Sequence, residues 1–276
     1  MAEQKKNYQS SISEKNNGFF ITEAYKTIRT NLQFTIATSG DNVAMITSFE
    51  PNAGKSITAA NISITTAQLG DKVLLIDADV RNASQHKVFN VHNTNGLTTL
   101  LSGLSKPDDN VFHKNIRPNL DLLTAGPMPP NLSELLCSKN MHKLLETLRG
   151  VYDYIFIDCP PIGVVSDALS LLTHAKNIAL IVRQDQTRHS DIRHSISSIK
   201  ALDGNLLGVI ITDVPNEGSL FSGKYGRYNR YNKYGKYGRY GKYYRYSEAT
   251  THGVRKYIDA SADGKPAATD SKEEKQ

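Results

Sequence analysis

Apolar residues in this chain come in short blocks separated by longer, mixed stretches. Six blocks stand out between positions 43 and 212: VAMITSF, VLLIDA, LDLLTAG, YIFID, IALIV and LLGVIIT. They are rich in Val, Ile and Leu with little polar alternation, the pattern of strands buried on both faces. The stretches between them read as helices or carry them, notably 56–69, 133–148 and 190–202. Strands alternating with helices predict an α/β fold, a mostly parallel sheet flanked by helices. In such sheets a ligand binds beyond the carboxyl ends of the strands. Ahead of the first block, Tyr25, Ile28, Leu32 and Ile36 recur at helical spacing, which predicts a helix over about 22–37. Glu23 falls in its first turn, where the helix dipole favours an acid.

Outside 19–215 the core pattern is missing. Residues 1–18 are polar and read as a flexible N-terminus, and 216–276 as a disordered tail. Within that tail, 224–247 is eight consecutive triplets, each opening with Lys or Arg followed by Tyr. Nine of the chain's 14 tyrosines stand there: Tyr225, Tyr228, Tyr231, Tyr234, Tyr237, Tyr240, Tyr243, Tyr244 and Tyr246. The segment also changes the charge picture. The net charge is +6, but without the eight basic residues of the triplets 25 Lys and Arg face 27 Asp and Glu. Any argument for an anionic partner therefore concerns the tail alone. Two cysteines cannot build a disulfide framework, so a reducing compartment is expected. No apolar run approaches the ~20 residues of a membrane span, and no signal peptide is visible.

Chemistry enters where the first strand meets the next helix, in MITSFEPNAGKSITAAN. A phosphate cradle needs backbone N–H groups turned inward at a helix N-terminus, and Gly54 permits that close approach. Ala53, Gly54, Lys55, Ser56 and Ile57 form the expected cradle. Lys55 reaches the β- and γ-phosphates in such a loop, and the Ser56 hydroxyl binds Mg²⁺. The full G-x-x-x-x-G-K-[ST] pattern is not met, because Phe49 holds its first position and Asn52 stands where glycine is common. Asn tolerates the left-handed conformation, so the second change is mild. The second block delivers Asp77 and Asp79, expected on one side of an extended strand. The fourth ends in Asp158, and Pro160–Pro161 stop it. Each aspartate alone could be a turn or helix cap. Three at two strand ends near a Lys-Ser loop suggest acids that hold a metal ion or accept a proton.

With these motifs the sequence resembles the bacterial tyrosine kinases of capsule and exopolysaccharide synthesis. TSFEPNAGKS resembles that family's Walker A, LLIDADVR its Walker A′ and YIFIDCPP its Walker B. The resemblance covers about 19–215 and, in kind, the tyrosine tail. It implies a P-loop NTPase fold, ATP and Mg²⁺ as cofactors, and autophosphorylation of the tail tyrosines. It assigns Lys55 and Ser56 to the phosphates and Mg²⁺, Asp79 and Asp158 to the metal, and Asp77 to deprotonation of the acceptor tyrosine; Arg81 receives no role. It implies ring assembly of copies of the chain through Glu23, Lys26 and Arg29, where Lys26 replaces an arginine and loses its planar fork. It also implies a membrane-spanning activator, a polysaccharide co-polymerase acting through its cytoplasmic segment. The kinase would then be cytoplasmic, peripheral at the inner face of the membrane. Thr212 and Asp213 stand where the family tends to place an Asn beside adenine.

The tail fits the acceptor role. A phenol with a pKa near 10 needs a base, and about 25 flexible residues reach roughly 25–30 Å, enough for transfer between subunits. Each phosphate adds about −1.5 to −2 charge, so roughly four to five cancel the eight positive charges. Two other readings compete. A placement ATPase of the MinD or ParA kind would use the tail only as an anchor, but it carries a lysine where this chain has Glu50. Single-stranded nucleic acid suits alternating cations and aromatics but leaves the nucleotide loop unexplained, so it is not expected as the main role. Cys159 reads as a packed small residue, Asp167 as a helix start, and the eight histidines show no metal spacing.

Overall fold

The computed structural model describes residues 17–107 and 110–214, with side chains from residue 21 onward; the nine tail tyrosines lie outside the described residues. Seven strands, β1 (Val43–Ser48), β2 (Val73–Asp77), β3 (Phe112–Arg117), β4 (Leu120–Leu123), β5 (Tyr154–Asp158), β6 (Asn177–Arg183) and β7 (Asn205–Thr212), form one sheet in the order β3-β4-β2-β5-β1-β6-β7. All pairs are parallel except β3 with β4. The helices are α1 (Asn17–Ser39), α2 (Lys55–Ala67), α3 (Gln85–Val88), α4 (Leu97–Leu101), α5 (Leu132–Leu136), α6 (Lys139–Arg149), α7 (Asp167–Leu171) and α8 (His189–Ala201). The predicted α/β architecture is the one observed.

The alternation of the pleat divides the apolar residues between two cores. Along β1, Val43 and Met45 face one core with Met141 and Leu145 of α6 and Ile199 of α8. Ala44 and Ile46 face the other, with Leu32 and Ile36 of α1 and Ile62 of α2. Every residue of β1 and β2 is buried, which is why these strands show no polar alternation. The α1 stripe is as expected: Leu32 and Ile36 are buried, and Tyr25 and Ile28 pack against the same core. The helix is longer than predicted, and it takes in Asn17 and Gly18 from the expected flexible N-terminus.

Two elements depart from the sequence reading. The stretch 133–148, expected to be or to carry a helix, holds two, α5 and α6, because Ser138 turns extended (φ −69°, ψ 158°) and its hydroxyl caps α6 by accepting the Met141 N–H. Strand β3 was not predicted. It is a half-exposed edge strand carrying His113, Lys114, Asn115 and Arg117, with an irregular register and Asn115 at φ 50°. Polar edges and bulges erase the period-two signal.

The crest of the sheet, where β1 and β5 end side by side, is stitched by backbone. Ile162 N–H donates to the Ser48 carbonyl at 2.8 Å and Gly163 N–H to the Phe49 carbonyl at 3.0 Å. The Phe49 ring lies directly under Gly163. A Cβ on Gly163 would fall 2.6 Å from the Phe49 oxygen and 2.7 Å from its ring. The bulky residue that opens the nucleotide loop is thus accommodated by a glycine 114 positions on. Gly163→Ala is expected to lower stability by about 1–3 kcal/mol through overpacking. Adding Phe49→Leu should recover only part of it, because the carbonyl clash remains; thermal melts of the two variants check this.

Candidate functional site

The loop after β1 turns twice through left-handed backbone, at Asn52 (φ 61°) and Gly54 (φ 89°). The Asn that replaces glycine therefore adopts the conformation asparagine tolerates best among larger residues. Gly54 is the N-cap of α2 and has no side chain to satisfy the helix's first N–H groups, so they stay available to an anion. The loop is braced from the β6–β7 side. Thr212 donates to the Ala53 carbonyl at 2.7 Å, and Arg183 donates to the Asn52 carbonyl at 3.2 Å while pairing with Asp213. Glu50 accepts the Thr187 hydroxyl. Thr212 and Asp213 thus buttress the phosphate loop.

Beside this loop the strand ends bring together Lys55, Asp77, Asp79 and Asp158. Lys55 and Asp79 are both buried and form an ion pair of 2.5 Å. Asp79 lies past the end of β2, at the start of a 3-10 turn (Val80–Asn82), and also caps that turn by accepting the Asn82 N–H. The expectation that Asp77 and Asp79 share one extended strand is corrected here: β2 ends at Asp77. Asp77 and Asp158 are register partners on β2 and β5, and both are fully buried. Asp77 accepts N–H groups from Ser84 (3.0 Å) and Gln85 (2.9 Å) at the start of α3. So Asp77 does cap the start of α3, through Oδ2 alone.

The electrostatics follow from depth. Burial, then the neighbouring Asp158, push the Asp77 carboxyl up to about 8. Burial also raises Asp158, against the lowering pull of Lys55 and of hydrogen bonds from Ser56 and Gln85. Burial opposes charge on Lys55, but Asp158 and Asp79 outweigh it and hold the ammonium above its ordinary value. The Oδ1 atoms of Asp77 and Asp158 are buried without a hydrogen-bond partner. Such acceptors, with the Ser56 hydroxyl beside Asp158, are the hard oxygen donors a divalent ion takes. Among the described residues no group of three His, Cys, Asp or Glu side chains converges as a metal cluster.

Sequence reasoning missed Gln85. Its side chain donates to Asp158 Oδ2 (2.8 Å) and to the Ser56 carbonyl (3.0 Å). Ser84, ahead of a helix start, was the available signal that N–H groups stood near. Arg81, left without a role, pairs with the buried Asp167 at 2.6 Å, and Asp167 also accepts the Ser133 hydroxyl. Asp167 is the first residue of α7, as expected. Cys159 is buried, and burial pushes its thiol well up, as befits a packed residue. Of the residues expected to mediate assembly, Glu23 and Lys26 form a half-exposed 2.8 Å pair, while Arg29 donates to the Thr65 carbonyl at the end of α2.

A cavity of about 350 Å³ joins these parts. It is lined by Gly54, Lys55, Ser56 and Ile57 and also by Asp79, Arg81 and the Pro160–Pro161 turn; the fully buried Asp77 and Asp158 are not part of its lining.

Comparison with known proteins agrees with this geometry. A family model described as an AAA domain matches residues 42–206. The tyrosine-protein kinase YwqD of Bacillus subtilis is 40% identical over 190 residues, 69% of this chain and 80% of that protein. The tyrosine-protein kinase CpsD of Streptococcus agalactiae is 33% identical over 205 residues, 74% of this chain and 88% of that protein. The solved kinase domain of the Escherichia coli tyrosine kinase ETK superposes with a TM-score of 0.69 at 32% identity, covering 72% of this chain and 78% of that one. With the phosphate loop, the two strand-end acids and these matches in hand, the chain belongs to the bacterial tyrosine-protein kinases.

Proposed function

We propose that this kinase transfers the γ-phosphoryl group of ATP to tyrosine hydroxyls, its own residues in 224–247 among them, with Mg²⁺ as the divalent ion. One observation carries the reading: a single cavity is lined by both the phosphate loop and the Asp79–Arg81 turn, so donor and acceptor can meet at the strand ends. The chain's part is positioning and charge. Gly54 and Asn52 shape the N–H cradle. Lys55 exchanges its buried partner Asp79 for phosphate oxygens, an anion for an anion, so the ammonium stays compensated throughout. That exchange releases Asp79 toward the site and opens the way to Asp77 behind it. Asp77, with a pKa near the working pH, is suited to take the phenolic proton. Ser56, Asp158 and the released Asp79 would hold Mg²⁺, which neutralises phosphate charge during transfer.

In this reading the kinase acts in the control of capsular or extracellular polysaccharide synthesis, with a membrane-spanning partner. No described helix is long and apolar enough to cross a membrane. Copies of the chain assemble through the outer face of α1, where Glu23 and Lys26 are half-exposed and paired with each other; Arg29 is engaged within its own chain and holds α1 on α2. Against the placement-ATPase alternative, Glu50 puts an acid where that group needs a lysine, and the acid is engaged by Thr187.

Lys55→Met is expected to reduce tyrosine labelling from γ-labelled ATP by about 10²–10³-fold. Because that change strands Asp79, it should be compared with Lys55→Met/Asp79→Asn, which keeps the fold's charge balance. Label on tyrosine in either variant at the native rate would refute the assignment. Replacing the nine tyrosines of 224–247 by Phe should abolish self-labelling while leaving labelling of an added tyrosine peptide, as read by mass spectrometry. The raised Asp77 makes a separate demand. Between its unfolded pKa of about 4 and its folded value of about 8 the native state binds the extra proton, so stability is lost as pH rises through that window. The melting temperature without divalent ions should therefore fall from pH 5 to 8 more steeply in the native protein than in Asp77→Asn. Equal slopes would contradict the shift.

A further inference from the structure

Among the described residues, Gln85 alone hydrogen-bonds both buried strand-end carboxylates. Its backbone N–H holds Asp77 Oδ2 at 2.9 Å, and its side-chain amide holds Asp158 Oδ2 at 2.8 Å. The second amide hydrogen goes to the Ser56 carbonyl at 3.0 Å, in the first turn of α2. The residue itself is fully buried. Each acid thus has one oxygen fixed by Gln85 and the other, Oδ1, buried and without a partner. Register pairing of Asp77 with Asp158 puts the two carboxylates on neighbouring strands, about 4.8 Å apart at the backbone.

We propose that Gln85 is the positioning residue of the divalent-ion site: its side-chain amide, by holding Asp158 Oδ2 and the first turn of α2, aims Asp158 Oδ1 and the Ser56 hydroxyl at a common point, while its backbone N–H keeps Asp77, the base, beside them. The inference rests on the kinase reading above and adds to it a residue that touches no substrate. The chemistry is specific to a carboxamide. Its NH₂ group donates twice, to a carboxylate and to a carbonyl, without adding charge where three acids already crowd one ammonium. A methionine would fill the same volume and release both acceptors. An asparagine would keep the amide but fall one methylene short. In both, Asp158 keeps only the Ser56 hydroxyl and turns freely about its last torsion, while Asp77 stays held by backbone.

The test is binding of Mn²⁺ in the presence of saturating ADP, followed by electron paramagnetic resonance. Native protein is compared with Gln85→Met and Gln85→Asn. Loss of an orienting partner of this kind weakens metal binding by about 10–100-fold. The Mn²⁺ dissociation constant should rise by about tenfold or more, and the Mg²⁺ concentration for half-maximal tyrosine labelling should rise with it. The KM for ATP at saturating Mg²⁺ should stay put, a split that general loss of structure would not give. A folded variant that binds Mn²⁺ as the native protein does would overturn the proposal. So would a native Gln85 side-chain amide whose nuclear magnetic resonance signal is unmoved when Mg²⁺ is added to the ADP complex, a readout that needs no variant. Native protein that binds Mn²⁺ but labels no tyrosine would instead sink the kinase reading and leave the role of Gln85 intact.

Discussion

One buried ammonium faces three buried carboxylates at the crest of this sheet, and much of the structure answers to that imbalance. An ion taken out of water must be paired and hydrogen-bonded or else give up its charge. Lys55 settles with Asp79 at 2.5 Å. Asp77 and Asp158 are left to share what remains: burial raises both, and each has one oxygen tied down. In the proposed function a triphosphate would supply a new partner for Lys55, and a divalent ion one for Asp158 and the released Asp79.

The frame around these groups is braced. The phosphate loop is fixed by Thr212, Arg183 and Thr187 on one side and by the Gly163 backbone on the other. The acids stand on β2 and β5, central strands whose side chains are buried on both faces. The first turn of α3, only four residues long, supplies N–H groups to Asp77 and an amide to Asp158. A short helix that contributes little to the core therefore contributes two of the contacts on which the acids depend.

Much of this was legible in the sequence because it was written in composition. Fully apolar blocks could only be strands covered on both faces, and β1, β2, β5 and β6 are such strands. The 25-28-32-36 stripe could only be a helix resting on a core. AGKS at a strand–helix junction announced the phosphate loop. What stayed hidden was of a different physical kind. β3 is an edge strand, polar and bulged, and lacks the alternation that betrays a strand. The pairing of Lys55 with Asp79 depends on where β2 stops, a matter of one residue that no periodicity records. Gln85 is a polar side chain in a polar stretch, and its importance comes from complete burial, which only the packed chain reveals. Phe49 looked like damage to a glycine-rich motif; the compensating glycine stands more than a hundred residues away.

The Thr212 hydroxyl deserves a mechanical reading. It is the last residue of the outermost strand, and it grips the carbonyl that opens the phosphate cradle. In sequence the tyrosine segment begins twelve residues after it, at Lys224. The end of β7 is tied to the nucleotide loop twice, by the Thr212 hydroxyl on Ala53 and by Asp213 through Arg183 on Asn52. The last residue of an edge strand thus fixes the loop's backbone from outside the loop.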